Sequence, residues 1–152
     1  MIPAPVILHA GLIALWADGG WRGALIMGSS GTGKSDLMLR CLDCGFRLVA
    51  DDRTLVWASK GHLFGRAPDT LHGLIELRGV GVLAERALPF AETRLVIRCE
   101  PPETSIERAP DEATHEVAGL HLPALSLHAL DASAPAKISR SLMRLGQTRG
   151  EA

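Results

Sequence analysis

The chain has no asparagine and no tyrosine, and it carries only three lysines and three cysteines in 152 residues. Without asparagine there is no acceptor for N-linked glycosylation. Together with so few thiols, this fits a reducing cytoplasm, the expected location. No apolar run approaches the length that crosses a bilayer. Residues 1–16 are apolar, yet they lack a basic leading segment and carry Pro3, Pro5 and His9, so no signal peptide is expected. An excess of one charge is also missing: 16 basic residues stand against 17 acidic ones, a formal net charge of −1. A near-neutral chain has no electrostatic footprint for a polyanion, so neither nucleic acid nor a membrane is an expected partner. What remains, 47% hydrophobic and 22% charged, is the composition of a soluble globular protein. The length allows one domain, 1–152, with a substantial core and little room for a second. There is no internal repeat and no low-complexity tract.

The most informative stretch is Gly28-Ser29-Ser30-Gly31-Thr32-Gly33-Lys34-Ser35. It fits G-x-x-x-x-G-K-[ST], a loop whose backbone N–H groups cradle polyphosphate. Its glycines let the chain turn with positive φ and approach a ligand without a Cβ in the way. The donors point inward at the start of a helix, where the dipole favours anions. Lys34 would reach the outer phosphates, and the Ser35 hydroxyl would hold Mg²⁺. The flanks agree. Ala24-Leu25-Ile26-Met27 reads as a short buried strand, and Asp36-Leu37-Met38-Leu39-Arg40-Cys41-Leu42 as a helix. A Gly/Ser-rich surface loop is the bland alternative. Pattern and context together make this a nucleotide-binding loop.

In chain order, residues 6–16 are apolar and end at Asp18-Gly19-Gly20, and residues 21–27 begin another apolar run. The two runs pair as a hairpin. His9 is a lone polar residue in the first and, taken alone, reads as a packed core histidine. The helix from Lys34 ends at Gly45, a natural residue for a left-handed exit. Cys41 and Cys44 form C-x-x-C at that helix's C-terminal end, where the macrodipole disfavours a thiolate. No second Cys/His pair follows at ligand spacing, so both read as core thiols.

Phe46-Arg47-Leu48-Val49-Ala50 reads as a strand delivering Asp51-Asp52 at its tip. A carboxylate beside a phosphate loop is where P-loop enzymes hold Mg²⁺ or position a nucleophile. Adjacent carboxylates repel, so one of the two is suited to be a general base. An exposed turn is the alternative. Residues 54–57 and 62–64 form a hairpin around Ser59-Lys60-Gly61. Leu74-Ile75-Glu76-Leu77-Arg78-Gly79-Val80-Gly81-Val82-Leu83 sets Glu76 and Arg78 on the same side of an extended run. A surface salt bridge on an edge strand is the other reading of that pair. Residues 94–99 read as a strand, and residues 101–116, polar and acidic with Pro101, Pro102 and Pro110, as a loop with room for a helical turn. Residues 120–130 are apolar around Pro123, which suggests an edge or a strand start. Residues 136–145 carry a helical pattern, and the last residues are expected to fray.

With these pieces placed, the chain resembles the catalytic domain of HPr kinase/phosphorylase, the bacterial protein-serine kinase of the phosphotransferase system. Three stretches carry the likeness in order and spacing: G-S-S-G-T-G-K-S at 28–35, F-R-L-V-A-D-D at 46–52 and L-I-E-L-R-G-V-G-V-L at 74–83. The last, containing Glu76, Arg78, Gly79 and Gly81, resembles the family's own signature and is more specific than any phosphate loop. The similarity spans roughly residues 6–130. Family members usually carry an additional N-terminal domain, so a short form that begins at the kinase domain is expected.

The resemblance implies an α/β fold, a P-loop kinase domain with a mixed β-sheet core, related to the nucleotide domain of phosphoenolpyruvate carboxykinase. It implies ATP as phosphate donor, Mg²⁺ as cofactor, and HPr or an HPr-like phosphocarrier protein as partner. A homo-oligomer is compatible with it. Gly28, Ser29, Ser30, Gly31, Thr32, Gly33, Lys34 and Ser35 would hold the nucleotide. The Asp51-Asp52 pair would supply the base and help hold metal, with Ser35, Asp52 and Glu76 as metal ligands. His9 matches a family active-site histidine before the loop, with four extra residues intervening. Arg108, in Ile106-Glu107-Arg108, resembles a family active-site arginine. The segment to Gly81 would shape the site for both reaction directions. The departure comes late. Where the family has a Pro-Val-Arg-Pro-Gly-Arg-like stretch associated with dephosphorylation, this chain reads His128-Ala129-Leu130-Asp131-Ala132-Ser133, without either arginine. Phosphorolysis is therefore expected to be weaker than kinase activity.

Two competing readings follow from the same loop. A P-loop kinase of a small molecule would need a second lobe or lid, for which 152 residues leave little room. A nucleotide-sensing regulatory module would need the loop but not Asp51, Asp52 and Glu76 as well.

Overall fold

The computed structural model describes residues 4–145. Strand β1 (Val6–Leu8) precedes the tight hairpin of β2 (Gly11–Ala17) and β3 (Gly20–Met27). That hairpin turns on Asp18 and Gly19, with φ of 50° and 80°, the double positive φ that matches the twist of paired strands. Helix α1 (Lys34–Leu42) follows, then β4 (Arg47–Ala50) and the hairpin β5 (Thr54–Ser59) and β6 (His62–Arg66). A separate two-stranded hairpin, β7 (Leu74–Leu77) and β8 (Gly81–Ala84), precedes the long β9 (Ala91–Cys99). The chain continues through β10 (Ala113–Val117) and β11 (Leu120–Leu127) to helix α2 (Ala134–Arg144).

Nine of these strands form one mixed, curled sheet in the order β1-β5-β6-β9-β3-β2-β4, with β11 on β9 and β10 outside β11. The sheet forks at β9. One side of β9 pairs with β3; the other pairs with β6 at residues 91–93 and with β11 at residues 96–99. Because β2 is antiparallel to both β3 and β4, and β9 is parallel to both β3 and β11, the strands β3, β4, β9 and β11 all run the same way.

The central strands are apolar on both faces because both faces are covered. Side chains alternate. Ile13, Ala24, Ile26, Leu95 and Ile97 meet Leu37, Met38 and Cys41 of α1 and Ile138 and Leu142 of α2. Their neighbours Leu12, Leu25 and Val96 meet Val56 and Leu63 of the curled wing.

Arg22 on β3 fixes the end of α2. Its side chain is 11% exposed, and Nη1 donates to the carbonyls of Leu142 at 2.7 Å and Leu145 at 3.2 Å. A cation there meets the negative end of the helix dipole. Arg22→Ala leaves those carbonyls without their partner and is expected to cost about 2–3 kcal/mol, read as a lower urea midpoint.

Several expectations need correction. Residues 101–116 are not all loop, since residues 113–116 lie in β10, which β11 recruits as its outer partner. Residues 74–83 are not one extended run. They fold back at a turn closed by Val80 N–H to the Leu77 carbonyl, 3.0 Å. Arg78 therefore sits in the turn, off the strand face that carries Glu76, and no ion pair joins the two among the described residues. Only Cys41 of the C-x-x-C is a core thiol, with burial pushing its pKa up to about 12; Cys44 is exposed. The left-handed exit at Gly45 is present: its φ is 93°, and Phe46 N–H returns to the Cys41 carbonyl at 3.2 Å. Pro123 lies inside β11, in the half where β10 is the neighbour and β9 pairing has not yet begun.

Candidate active site

The common direction of β3, β4, β9 and β11 brings four C-terminal ends to one edge of the sheet, where open α/β sheets bind their ligands. There the sequence supplies residues 28–35 after β3, Asp51-Asp52 after β4, Glu100 after β9 and His128 after β11. The loop is shaped by its neighbours. Gly28 lies so close to β9 that a Cβ would come within 2.7 Å of the Cys99 carbonyl. Thr32 is buried, and its hydroxyl donates to the Ser29 carbonyl at 2.8 Å, closing the loop on itself. Gly33, with φ 93°, leads into α1, and Ser35 is exposed in the helix's first turn. Lys34 Nζ arches back over the loop to the Gly28 carbonyl. Cys99 is buried beneath. Burial pushes its thiol up to about 11, although nearby Lys34 favours the thiolate.

The carboxylates stand on the same sheet edge, after β4. Asp51 is half-buried, and its Oδ2 accepts the N–H of Glu76 at 2.9 Å, so the β7–β8 hairpin is tied to the tip of β4. Burial raises its pKa above the ordinary aspartate value, with the Asp52 and Glu76 charges adding to the rise and the Glu76 N–H opposing it. Asp52 is exposed, with φ 64°, and its Oδ1 lies 3.2 Å from His9 Nε2. That contact corrects the reading of His9 as a core histidine. The bend between β1 and β2 swings its side chain outward, leaving it 65% exposed.

Other expected residues are placed differently. Arg108 lies exposed in the loop between β9 and β10, and no hydrogen bond or ion pair connects it with His9, Asp51, Asp52 or Glu76. Arg78, Gly79 and Gly81 form the tip of the β7–β8 hairpin, with φ of 84° and 118° at the glycines. Among the described residues no three His, Cys, Asp or Glu side chains converge as a ready-made metal cage. Ser35, Asp52 and Glu76 nevertheless present only oxygen donors, the ligand type that a hard cation takes. Mg²⁺ is commonly held by one or two carboxylates plus substrate phosphates, without a complete protein cage.

Sequence reasoning missed Arg40. It forms the i,i+4 pair with Asp36 that the helix spacing permits, 2.8 Å, and it also reaches the carbonyls of Ala129 and Asp131. The helix pair was legible; the contact with a turn far along the chain carries no local signal.

This architecture defines a mixed α/β protein with a curled sheet that presents a glycine-rich loop and a carboxylate cluster at one edge. A family model described as the HPr Serine kinase C-terminal domain matches residues 6–98, and the chain belongs to that family. It is similar to the HPr kinase/phosphorylase of Limosilactobacillus reuteri (strain DSM 20016), 34% identical over 131 residues, covering 79% of this chain and 39% of that protein. It is also similar to that of Stenotrophomonas maltophilia (strain K279a), 33% identical over 155 residues, covering 92% and 48%. The chain thus spans less than half the length of these relatives. The fold matches the Hpr(Ser) kinase/phosphatase structure from Coxiella burnetii with a TM-score of 0.76 at 23% identity, covering 91% of this chain and 88% of that one. No helix among the described residues is long and apolar enough to cross a membrane.

Proposed function

We propose that this chain is the catalytic unit of an ATP-dependent protein-serine kinase that phosphorylates HPr or an HPr-like phosphocarrier protein in the cytoplasm. What supports the reading is the shared sheet edge, where the Lys34-bearing loop follows β3 and Asp51-Asp52, with Asp51 bonded to Glu76, follow β4, in a member of this family. The proposal includes a P-loop role for residues 28–35, a single catalytic domain over 1–152, and kinship of the fold to the nucleotide domain of phosphoenolpyruvate carboxykinase.

The loop N–H groups would hold the donor's phosphates, and Lys34 would leave the Gly28 carbonyl to pair with the outer ones. Mg²⁺, held by Ser35, Asp52 and Glu76, would neutralise charge on the β- and γ-phosphates when bound. Asp51 is the better base. It is partly desolvated, its pKa is raised, and one oxygen is steered by the Glu76 N–H while the other is left for the acceptor. It takes the serine Oγ proton as the Oγ–P bond forms and the bond to the ADP leaving oxygen breaks. His9 orients Asp52. Arg108 has no contact with these groups, and the proposal gives it no step. Incubation with γ-labelled ATP and HPr tests the reading. Label on an HPr serine is the expected result. Label on a metabolite would instead favour a small-molecule kinase, and nucleotide binding without transfer a regulatory module.

The late turn adds a prediction about direction. Phosphorolysis places a seryl phosphate and an attacking inorganic phosphate side by side, and their repulsion calls for cations, for which the arginine fork is best suited. Here Leu130 and Asp131 occupy that turn, and Arg40, which reaches it, is engaged with two carbonyls and Asp36. With phosphoserine-HPr and millimolar phosphate, pyrophosphate release is expected to run far below the forward rate. Comparable rates would show that another cation substitutes.

A further inference from the structure

The His128–Asp131 turn is tied to the phosphate-loop helix by contacts that the proposed chemistry leaves unused. Arg40 donates from Nη2 to the Ala129 carbonyl and from Nη1 to the Asp131 carbonyl at 3.2 Å, while Nε pairs with Asp36 at 2.8 Å. A planar fork engaged on three sides restrains the turn. The turn is closed further by Asp131 N–H to the His128 carbonyl, 3.1 Å, and by His128 Nε2, 2.7 Å from the Thr104 carbonyl. These restraints set Leu130 directly on the loop: a Cβ at Gly33 would meet Leu130 Cδ2 at 2.8 Å and Cγ at 3.1 Å. Yet Leu130 is 63% exposed. A leucine fixed beside a phosphate loop, and still open to solvent, offers apolar surface to whatever the loop binds. A phosphate gains nothing from a methyl group, whereas a sugar or base does.

We propose that Leu130 is a specificity-determining contact for the nucleoside part of the donor, and that Arg40 is the positioning residue that holds it there. The site then takes a nucleoside triphosphate in preference to inorganic polyphosphate. This rests on the reading of residues 28–35 as a phosphate loop. The test is calorimetric titration of the full chain with Mg²⁺-ATP and, separately, with Mg²⁺-tripolyphosphate. Leu130→Ala is expected to weaken ATP about five- to tenfold, as fits loss of a partly covered leucine contact, and to leave tripolyphosphate within about twofold. Leu130→Met keeps the apolar volume and is expected to bind ATP within about twofold of the parent. Arg40→Lys keeps the charge but cannot bridge both carbonyls, and is expected to weaken ATP alone, by about two- to fourfold. If Leu130→Ala leaves ATP unchanged, or weakens both ligands alike, the inference is overturned. Unchanged ATP affinity in Arg40→Lys would overturn the positioning role. Lys34→Ala separates this from failure of the underlying reading. It should weaken both ligands, and if it weakens neither, the phosphate loop itself has been misassigned.

Discussion

Lys34→Ala abolishes phosphate transfer and leaves the chain folded: that is the expected result, and it has the largest effect of any single change. Lys34 donates only to the Gly28 carbonyl, a group at the open edge of the sheet. Its removal breaks no core packing, so stability should stay within the small range typical of changes away from buried networks. Its loss would be felt when polyphosphate is present, because residues 28–35 contain no other lysine and the loop N–H groups carry only partial charge. A phosphate-transfer assay beside a urea unfolding curve checks both halves. Full activity in Lys34→Ala would remove the P-loop assignment.

The second large effect separates the carboxylates. Asp51→Asn keeps the size and the bond from the Glu76 N–H but cannot accept a proton, and should slow the chemical step by about 10²–10⁴-fold. Asp52→Asn and Glu76→Gln should act differently. Both residues are exposed oxygen donors near Asp51, and their loss should chiefly raise the Mg²⁺ concentration needed for half-maximal rate. Single-turnover rates across a Mg²⁺ series distinguish the two patterns. If Asp52→Asn shows the rate loss and Asp51→Asn the metal shift, the roles are exchanged. If all three variants behave as the parent does, these carboxylates are not catalytic.

The elements that were legible from the sequence are those with a local cause. The β2–β3 hairpin is written in Asp18-Gly19, the exit of α1 in Gly45, and the glycine-rich turn between β3 and α1 in its own spacing. What escaped has a distant cause. β10 is polar and exposed over most of its length, and it is a strand because β11 lies beside it. His9, read from its apolar run alone, looks like a core residue, against what the family likeness implies, and the fold shows the chain bending there toward Asp52. Arg78 shares strand parity with Glu76 on paper, but the turn through Gly79 removes it from that face. The pairing of Asp51 with the Glu76 backbone had no signal either, since a backbone donor is the same for every residue type but proline.

The close seating of Gly28 on Cys99 bears on how the molecule assembles. The loop is contiguous in sequence, but its mould is not, because three strands and the β7–β8 hairpin separate β3 from its parallel partner β9 along the chain. Closing so long a loop carries an entropic cost that local pairing cannot offset, and parallel pairings of this kind form slowly. The shape of the loop therefore depends on long-range pairing as well as on its own motif. On the proposed reading, a nucleotide held there would bind only chains in which that distant pairing is complete, and would act as a folding ligand, drawing the equilibrium by mass action toward the joined sheet.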